Sequence, residues 1–293
     1  MKKKGLKGME LKFIHHRAQN GVLHQKGEVC YIKFPVLEQI DFIQHGFSTR
    51  IGGVSEGEFS SMNLSYTRGD QKENVDENYK RICTVLEMDM EQLVLSDQVH
   101  DTVVYHATEK DVQGRNLAGK KLEAIDGLVT DTKEIVLCTS YADCVPLFFV
   151  DTKRKAIGLS HSGWRGTVGK MGKKTVDKMK EEFGTKPEDI IAVIGPSICQ
   201  DCYEVSRDVA EEFMKILNKV QLKTVLDKKK DEKYQLNLWE ANRYILMEAG
   251  IPEGNITISN VCTCCNSDLL FSHRKTNGHR GNLCGFLKIK SVS

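Results

Sequence analysis

Two apolar runs, VPLFFV and AIGLS, lie between Thr139 and Gly166 on either side of the polar segment DTKRK. This pattern predicts two buried strands joined by a tight connection. In an antiparallel pair the start of one strand lies beside the end of the next. Cys144, just before the first run, and His161, just after the second, would therefore meet at one edge of the sheet. Further strands are expected at Glu28 to Phe34, Phe42 to Thr49, Gln92 to Ser96, Thr102 to His106, Ile125 to Thr130, Ile135 to Ser140, Ile190 to Ile194, Ile256 to Cys262 and Leu283 to Ile289. From Lys72 to Met88 the apolar residues Val75, Tyr79, Ile82 and Leu86 recur at helical spacing and form one stripe of an amphipathic helix.

Three more helices are expected. One runs from Gly166 to about Phe183, with Gly184 as its left-handed stop. A second is capped by Ser206 and runs to about Lys219, with Val209, Phe213, Ile216 and Leu217 inward. The third spans Asn237 to Ala249 and is stopped by Gly250 and Pro252. Residues 224–235 read as a charged loop. Strands and helices alternate without a strict βαβ rhythm, so a single α/β domain with a mixed sheet is expected over residues 28–293. Residues 1–27, with His15, His16 and His24, read as an N-terminal extension that is poorly ordered or forms an edge element.

Composition narrows the function classes. Basic and acidic residues nearly cancel, 42 against 40, which gives no reason to expect a nucleic-acid or membrane partner. No apolar run is long enough to span a bilayer, and the basic N-terminus lacks the apolar region of a signal peptide, so a cytoplasmic protein is expected. In that compartment the ten cysteines are expected as reduced thiols, some of them ligands or nucleophiles.

Those cysteines suggest several kinds of chemistry. His100, Cys144 and His161 all fall at strand ends and are candidates for a three-ligand transition-metal site, zinc above all, with an open fourth position; a buried cysteine with unrelated histidines is the alternative. Asp143, Asp126 and Gln98 are placed to orient an imidazole. The same residues also suit a nucleophilic site in which Cys144 attacks, His161 is the base and Asp143 or Asp126 orients it. The pairs Cys199/Cys202 and Cys262/Cys265 resemble a structural zinc site, but the long separation between them is outside finger or ribbon spacing, and buried thiols or a redox pair compete with that reading. A multicopper oxidase gathers many imidazoles, usually through His-x-His, and the chain has no such dipeptide. Arg50, ahead of Gly52 and Gly53, is placed to meet an anion or to be an ordinary surface arginine after a turn.

GFSTRIGG, SMNL, DQVH, the Asp126 to Thr130 stretch, TSYADCVP, HSGWRG, IGPSICQDCYEV and the late CTCC…FSHR run occur in one order. Together they resemble the laccase-domain family of bacterial purine-nucleoside-processing enzymes, the YfiH/YlmD type, long described as multicopper polyphenol oxidoreductases. The likeness extends from about Gly46 to Leu287, with Ser162 where alanine is commoner. It implies a mixed-sheet α/β sandwich flanked by helices, distantly similar to cysteine deamidases of the toxin type. It also implies zinc on His100, Cys144 and His161, with copper and a copper-dependent polyphenol oxidase as the lesser alternative, and it gives no reason to expect a protein partner. The implied activities are phosphorolysis of adenosine, guanosine, inosine and S-methyl-5′-thioadenosine, plus deamination of adenosine. For those reactions Asp143 or Asp126 would move protons. Arg50, Asn63, Gln98, Arg165 and the helix N-terminus after Gly166 are the candidates for substrate and phosphate.

Overall fold

The computed structural model describes residues 10–13, 18–119 and 122–291. Of the expected N-terminal extension, residues 1–9 and 14–17, including His15 and His16, lie outside the described residues. Val22–Lys26 forms an edge strand paired with Val29–Lys33.

The strands Val145–Asp151 and Ala156–Ser162 pair antiparallel, with Val145 opposite Ser162 and Pro146 opposite His161. Both are buried along their whole length, because each is covered on both faces. Phe148 and Val150 point into one core, whereas Leu147 and Phe149 point into another. A continuous apolar run is the signature of such a strand.

They sit at the centre of a six-stranded mixed sheet in the order Ile256–Ile258, Ile190–Ile194, Val145–Asp151, Ala156–Ser162, Gly127–Thr130, Val104–His106. A second six-stranded sheet runs Val22–Lys26, Val29–Lys33, Ile43–Ser48, Leu283–Ile289, Val136–Tyr141, Leu93–Leu95. The inner faces of the two sheets pack on each other through Phe34, Phe47, Leu137, Tyr141, Phe148, Leu159 and Leu287. This is the sandwich that the resemblance implies. Helix Lys72–Leu86 covers the outer face of the second sheet with Val75, Tyr79, Ile82 and Leu86. Helices Met171–Phe183, Arg207–Ile216 and Leu238–Glu248 cover the outer face of the first. Among the described residues no helix is long and apolar enough to cross a membrane.

Two expectations are corrected. The helix foreseen from Gly166 to Phe183 is two, Trp164–Val168 and Met171–Phe183, because Lys170 takes a left-handed backbone with φ 59°. The long helix dipole therefore begins a turn and a half beyond the glycines of HSGWRG. The charged loop at 224–235 contains structure. Asn218 caps a helix, Lys219–Val225, in a reciprocal capping box with Gln221, and a hairpin of Leu226–Lys228 and Tyr234–Leu236 follows. Lysines hide that hairpin from a composition reading, while Tyr234 and Leu236 carry its burial.

Candidate metal centre and active site

The edge formed by the central strand pair and the neighbouring loops gathers His100, Cys144 and His161, whose ligand atoms all lie within 4.8 Å of one another. His161 is buried, Cys144 half-buried and His100 exposed, so the cluster opens to solvent on one side. The two imidazoles meet edge to face, with centroids 4.8 Å apart. Gly163 is needed beside them, because a Cβ there would lie 3.0 Å from the Cys144 Sγ and 3.3 Å from the His100 ring.

Asp126 builds this geometry. Its fully buried carboxylate accepts from His161 Nδ1 at 2.8 Å and from the backbone N–H groups of Val99, His100 and Asp101 at 3.0–3.1 Å. One carboxylate thus sets the tautomer of one imidazole and the loop that carries the other. His100 adopts φ 64°, in the left-handed region, and these N–H bonds hold it there. Burial works to raise the Asp126 pKa, but His161 and the N–H donors keep it below the usual carboxylate range. Burial would likewise raise the Cys144 thiol, yet the charge of His161 and hydrogen bonds from both histidines bring it down to about 6. His161 is pushed down by burial and up by Cys144 and Asp126, and settles at about 9. The two shifts, down for Cys144 and up for His161, both favour the thiolate–imidazolium form of the pair.

Other expected site residues have structural duties. Asp143, with φ 88°, accepts from Thr263 Oγ1 at 2.5 Å and from the Arg274 N–H at 2.7 Å, so it fixes the turn before Cys144 and does not orient His161. Gln98 lines the cleft but does not hold an imidazole. Its amide pairs with the backbone of Ser140, donating to the carbonyl at 3.0 Å and accepting from the N–H at 2.7 Å. Asn63 is buried and bonded to Ser65, Asp70 and Asn282, which ties a loop to the last strand. Arg50 donates to the carbonyls of Ser60 and Ser267 and stacks over Phe271, away from the cleft. Arg165 is exposed and lies over the Trp164 ring, and it does not line the cleft either.

Residues not foreseen take their place. The cleft holds about 150 Å³ and is walled by Asp97, Gln98, Ser140, Tyr141, Arg280 and Asn282, among others. Arg280 has a buried Nε with no hydrogen-bond partner, and burial together with the nearby Arg68 brings its guanidinium down to about 10. Two neighbouring guanidiniums, one of them on the cleft wall, favour an anion. Asp97 lies exposed on the wall, and its carboxylate makes no hydrogen bond or ion pair among the described residues. The sequence signal for Arg280 was its place in HRGN, just ahead of the last strand.

A two-sheet sandwich with a His–Cys cluster at a cleft floor defines a class of protein with a possible metal site beside a binding cleft. Residues 44–290 match the family described as multi-copper polyphenol oxidoreductase laccase, and the chain belongs to that family. A purine nucleoside phosphorylase, YlmD, of Bacillus subtilis is 36% identical over 248 residues, covering 84% of this chain and 88% of that protein. An adenosine deaminase, RL5, from an unknown prokaryotic organism is 35% identical over 258 residues, covering 84% of this chain and 95% of its own. The crystal structure of a hypothetical protein, YfiH, of Bacillus licheniformis superposes with a TM-score of 0.86 at 33% identity, covering 92% of this chain and 99% of that one.

Proposed function

We propose that the chain is a zinc-dependent purine nucleoside phosphorylase that takes adenosine, guanosine, inosine and S-methyl-5′-thioadenosine, and that it also deaminates adenosine to inosine. The observation that carries this reading is the convergence of His100, Cys144 and His161 on the open floor of the cleft. The names of the relatives supply the substrate class. Two imidazoles and one thiolate with an open side suit a catalytic zinc. Zinc bound there supplies a Lewis acid at the cleft floor.

The protein groups divide the remaining work. Asp126 keeps His161 and the His100 loop in place. Arg280, with Arg68 behind it, meets phosphate. Asp97, rather than the fully engaged Asp143 and Asp126, carries protons to and from the substrate. A cleft of about 150 Å³ is below the roughly 300 Å³ of a small enclosed ligand site, so a nucleoside would extend into the open mouth.

A second reading has its own support. Cys144 at about 6 and His161 at about 9, with Asp126 behind, form the resting state of a metal-free cysteine hydrolase. In that reading His100 only adds to the lowering of the Cys144 thiol, whereas in the metal reading it is a third ligand, which is why the metal reading ranks first. Incubating the protein with adenosine, with and without phosphate, separates the activities. Adenine plus ribose 1-phosphate shows phosphorolysis, inosine shows deamination, and neither product sinks the proposal.

A further inference from the structure

Four cysteines that the nucleoside chemistry does not use lie together. Cys199 precedes and Cys202 ends a 3-10 turn, Gln200–Cys202, after the strand Ile190–Ile194. Cys262 and Cys265 lie in the turn after Ile256–Ile258. The backbone joins these turns directly, with Ser197 and Cys262 forming a parallel bridge and Thr263 N–H donating to the Ser197 carbonyl at 3.2 Å. All four Sγ atoms fall within 4.8 Å of one another. Two of the separations are 3.5 Å, for Cys202 to Cys265, and 4.0 Å, for Cys199 to Cys265.

Those separations discriminate. A disulfide needs about 2.0 Å between sulfurs. A tetrahedron of sulfurs around zinc, with bonds of about 2.3 Å, has edges of about 3.8 Å, which the two observed values bracket. The backbone adds an independent sign. The N–H groups of Cys199 and Cys265 both donate to the Cys262 Sγ, at 3.3 and 3.4 Å. Paired N–H donors on one sulfur suit a thiolate far better than a thiol. Cys199 and Cys262 are buried, and the exposed Cys265 gives an ion its way in.

We propose that Cys199, Cys202, Cys262 and Cys265 bind one zinc ion as a closed tetrathiolate site, separate from the His100–Cys144–His161 cluster. Binding releases the thiol protons to solvent and involves no change of oxidation state. With every position filled by sulfur, the ion has no place for substrate and acts as a staple between two loops. The staple reaches the cleft through two bonds. Thr263, next to Cys262, donates to the Asp143 carboxylate, and Ile198, next to Cys199, donates its N–H to the Asp143 carbonyl at 3.0 Å. The Cys199–Cys265 site therefore positions the turn that presents Cys144. This inference does not depend on the nucleoside reading.

The test is metal analysis of the full chain purified under reducing conditions without added metal. Wild type should carry two zinc ions per chain. Cys265→Ser and Cys144→Ala should each carry one, and the double variant none. Cys264→Ser, which replaces a neighbouring cysteine outside the cluster, should keep both. Should Cys265→Ser fail to fold, cobalt substitution of Cys144→Ala gives an independent answer, since that variant leaves all four sulfurs in place. It should show the intense thiolate-to-cobalt charge-transfer bands of a four-sulfur tetrahedral site. Zinc content unchanged by Cys265→Ser, cobalt bands absent from Cys144→Ala, a Cys202–Cys265 disulfide in the isolated protein, or iron in place of zinc would each overturn the assignment.

Discussion

The two cysteine-bearing clusters flank one turn, at Asp143, and differ in what surrounds their sulfur. The His100–Cys144–His161 cluster has one thiolate, two imidazoles and an open side, and a buried carboxylate, Asp126, orders it from behind. In the Cys199–Cys265 cluster there are four sulfurs, no carboxylate, and backbone N–H groups aimed at one of them. A divalent ion keeps net positive charge among the first set of donors and is over-neutralised among the second. With an ion bound, the first arrangement would make an electrophile and the second an inert cross-link. The number of sulfurs and the access to solvent are what separate the two.

The contrast breaks most sharply at Cys144. Cys144→Ala is expected to empty the mixed cluster while leaving the four-sulfur cluster loaded, and to lower phosphorolysis and deamination together by about 10³-fold or more. Full phosphorolysis by this variant, with no metal at the mixed cluster, would remove the metal from the mechanism. Asp126→Asn tests the carboxylate that only one cluster possesses. Loss of a group behind the ligands is expected to weaken metal binding there by about 10- to 100-fold, measured by chelator competition, with the four-sulfur cluster unaffected. An unchanged affinity would mean that the Asp126 carboxylate does not order the metal ligands.

Arg280→Gln separates the cleft from its metal. The KM for phosphate should rise about tenfold or more at unchanged metal content, as expected for removal of a charge-assisted partner, and a KM that does not move would place phosphate elsewhere. The smallest effect concerns an imidazole that lacks a carboxylate. His45 is buried and accepts the Phe34 N–H at 2.9 Å, and burial together with Lys33 lowers it from 6.5 to about 3. The folded protein keeps His45 neutral where the unfolded chain takes up a proton, so stability present above pH 6.5 is lost as pH falls toward 3. Between pH 7 and 5.5 the loss is about 1 kcal/mol, readable by urea unfolding, and His45→Gln should abolish that part of the slope. A slope identical in the variant would show that His45 does not titrate in this way.

Much of the scaffold was legible in the chain. The strands around VPLFFV and AIGLS and the last strand Leu283–Ile289 follow from continuous apolar runs, and the stripe of Lys72–Leu86 from steps of three and four residues, both of which report burial directly. The meeting of Cys144 and His161 was legible for the same reason, because adjacent antiparallel strands bring known ends together. Pattern reading does not show which side chains local bonding has already claimed. Arg50 serves the carbonyls of Ser60 and Ser267, Gln98 mimics a strand against Ser140, and Asn63 knots its own loop. Nothing in the composition around those residues distinguishes a satisfied polar group from one left free for a ligand.

By itself, then, the sequence determined the long strands and helices, the central hairpin, and the residue types available at its edge, but not the break at Lys170 or the second hairpin at 226–236. Tertiary structure alone decided which residues from distant loops share a site. It set Asp126 beneath both histidines, brought Arg280 to the cleft wall, and closed the gap between the two Cys-x-x-Cys turns by pairing Ser197 with Cys262. The physical reason is range. Periodicity records the burial of each residue against its nearest neighbours, whereas a cluster depends on the register of several strands at once, and that register is fixed only when both sheets pack.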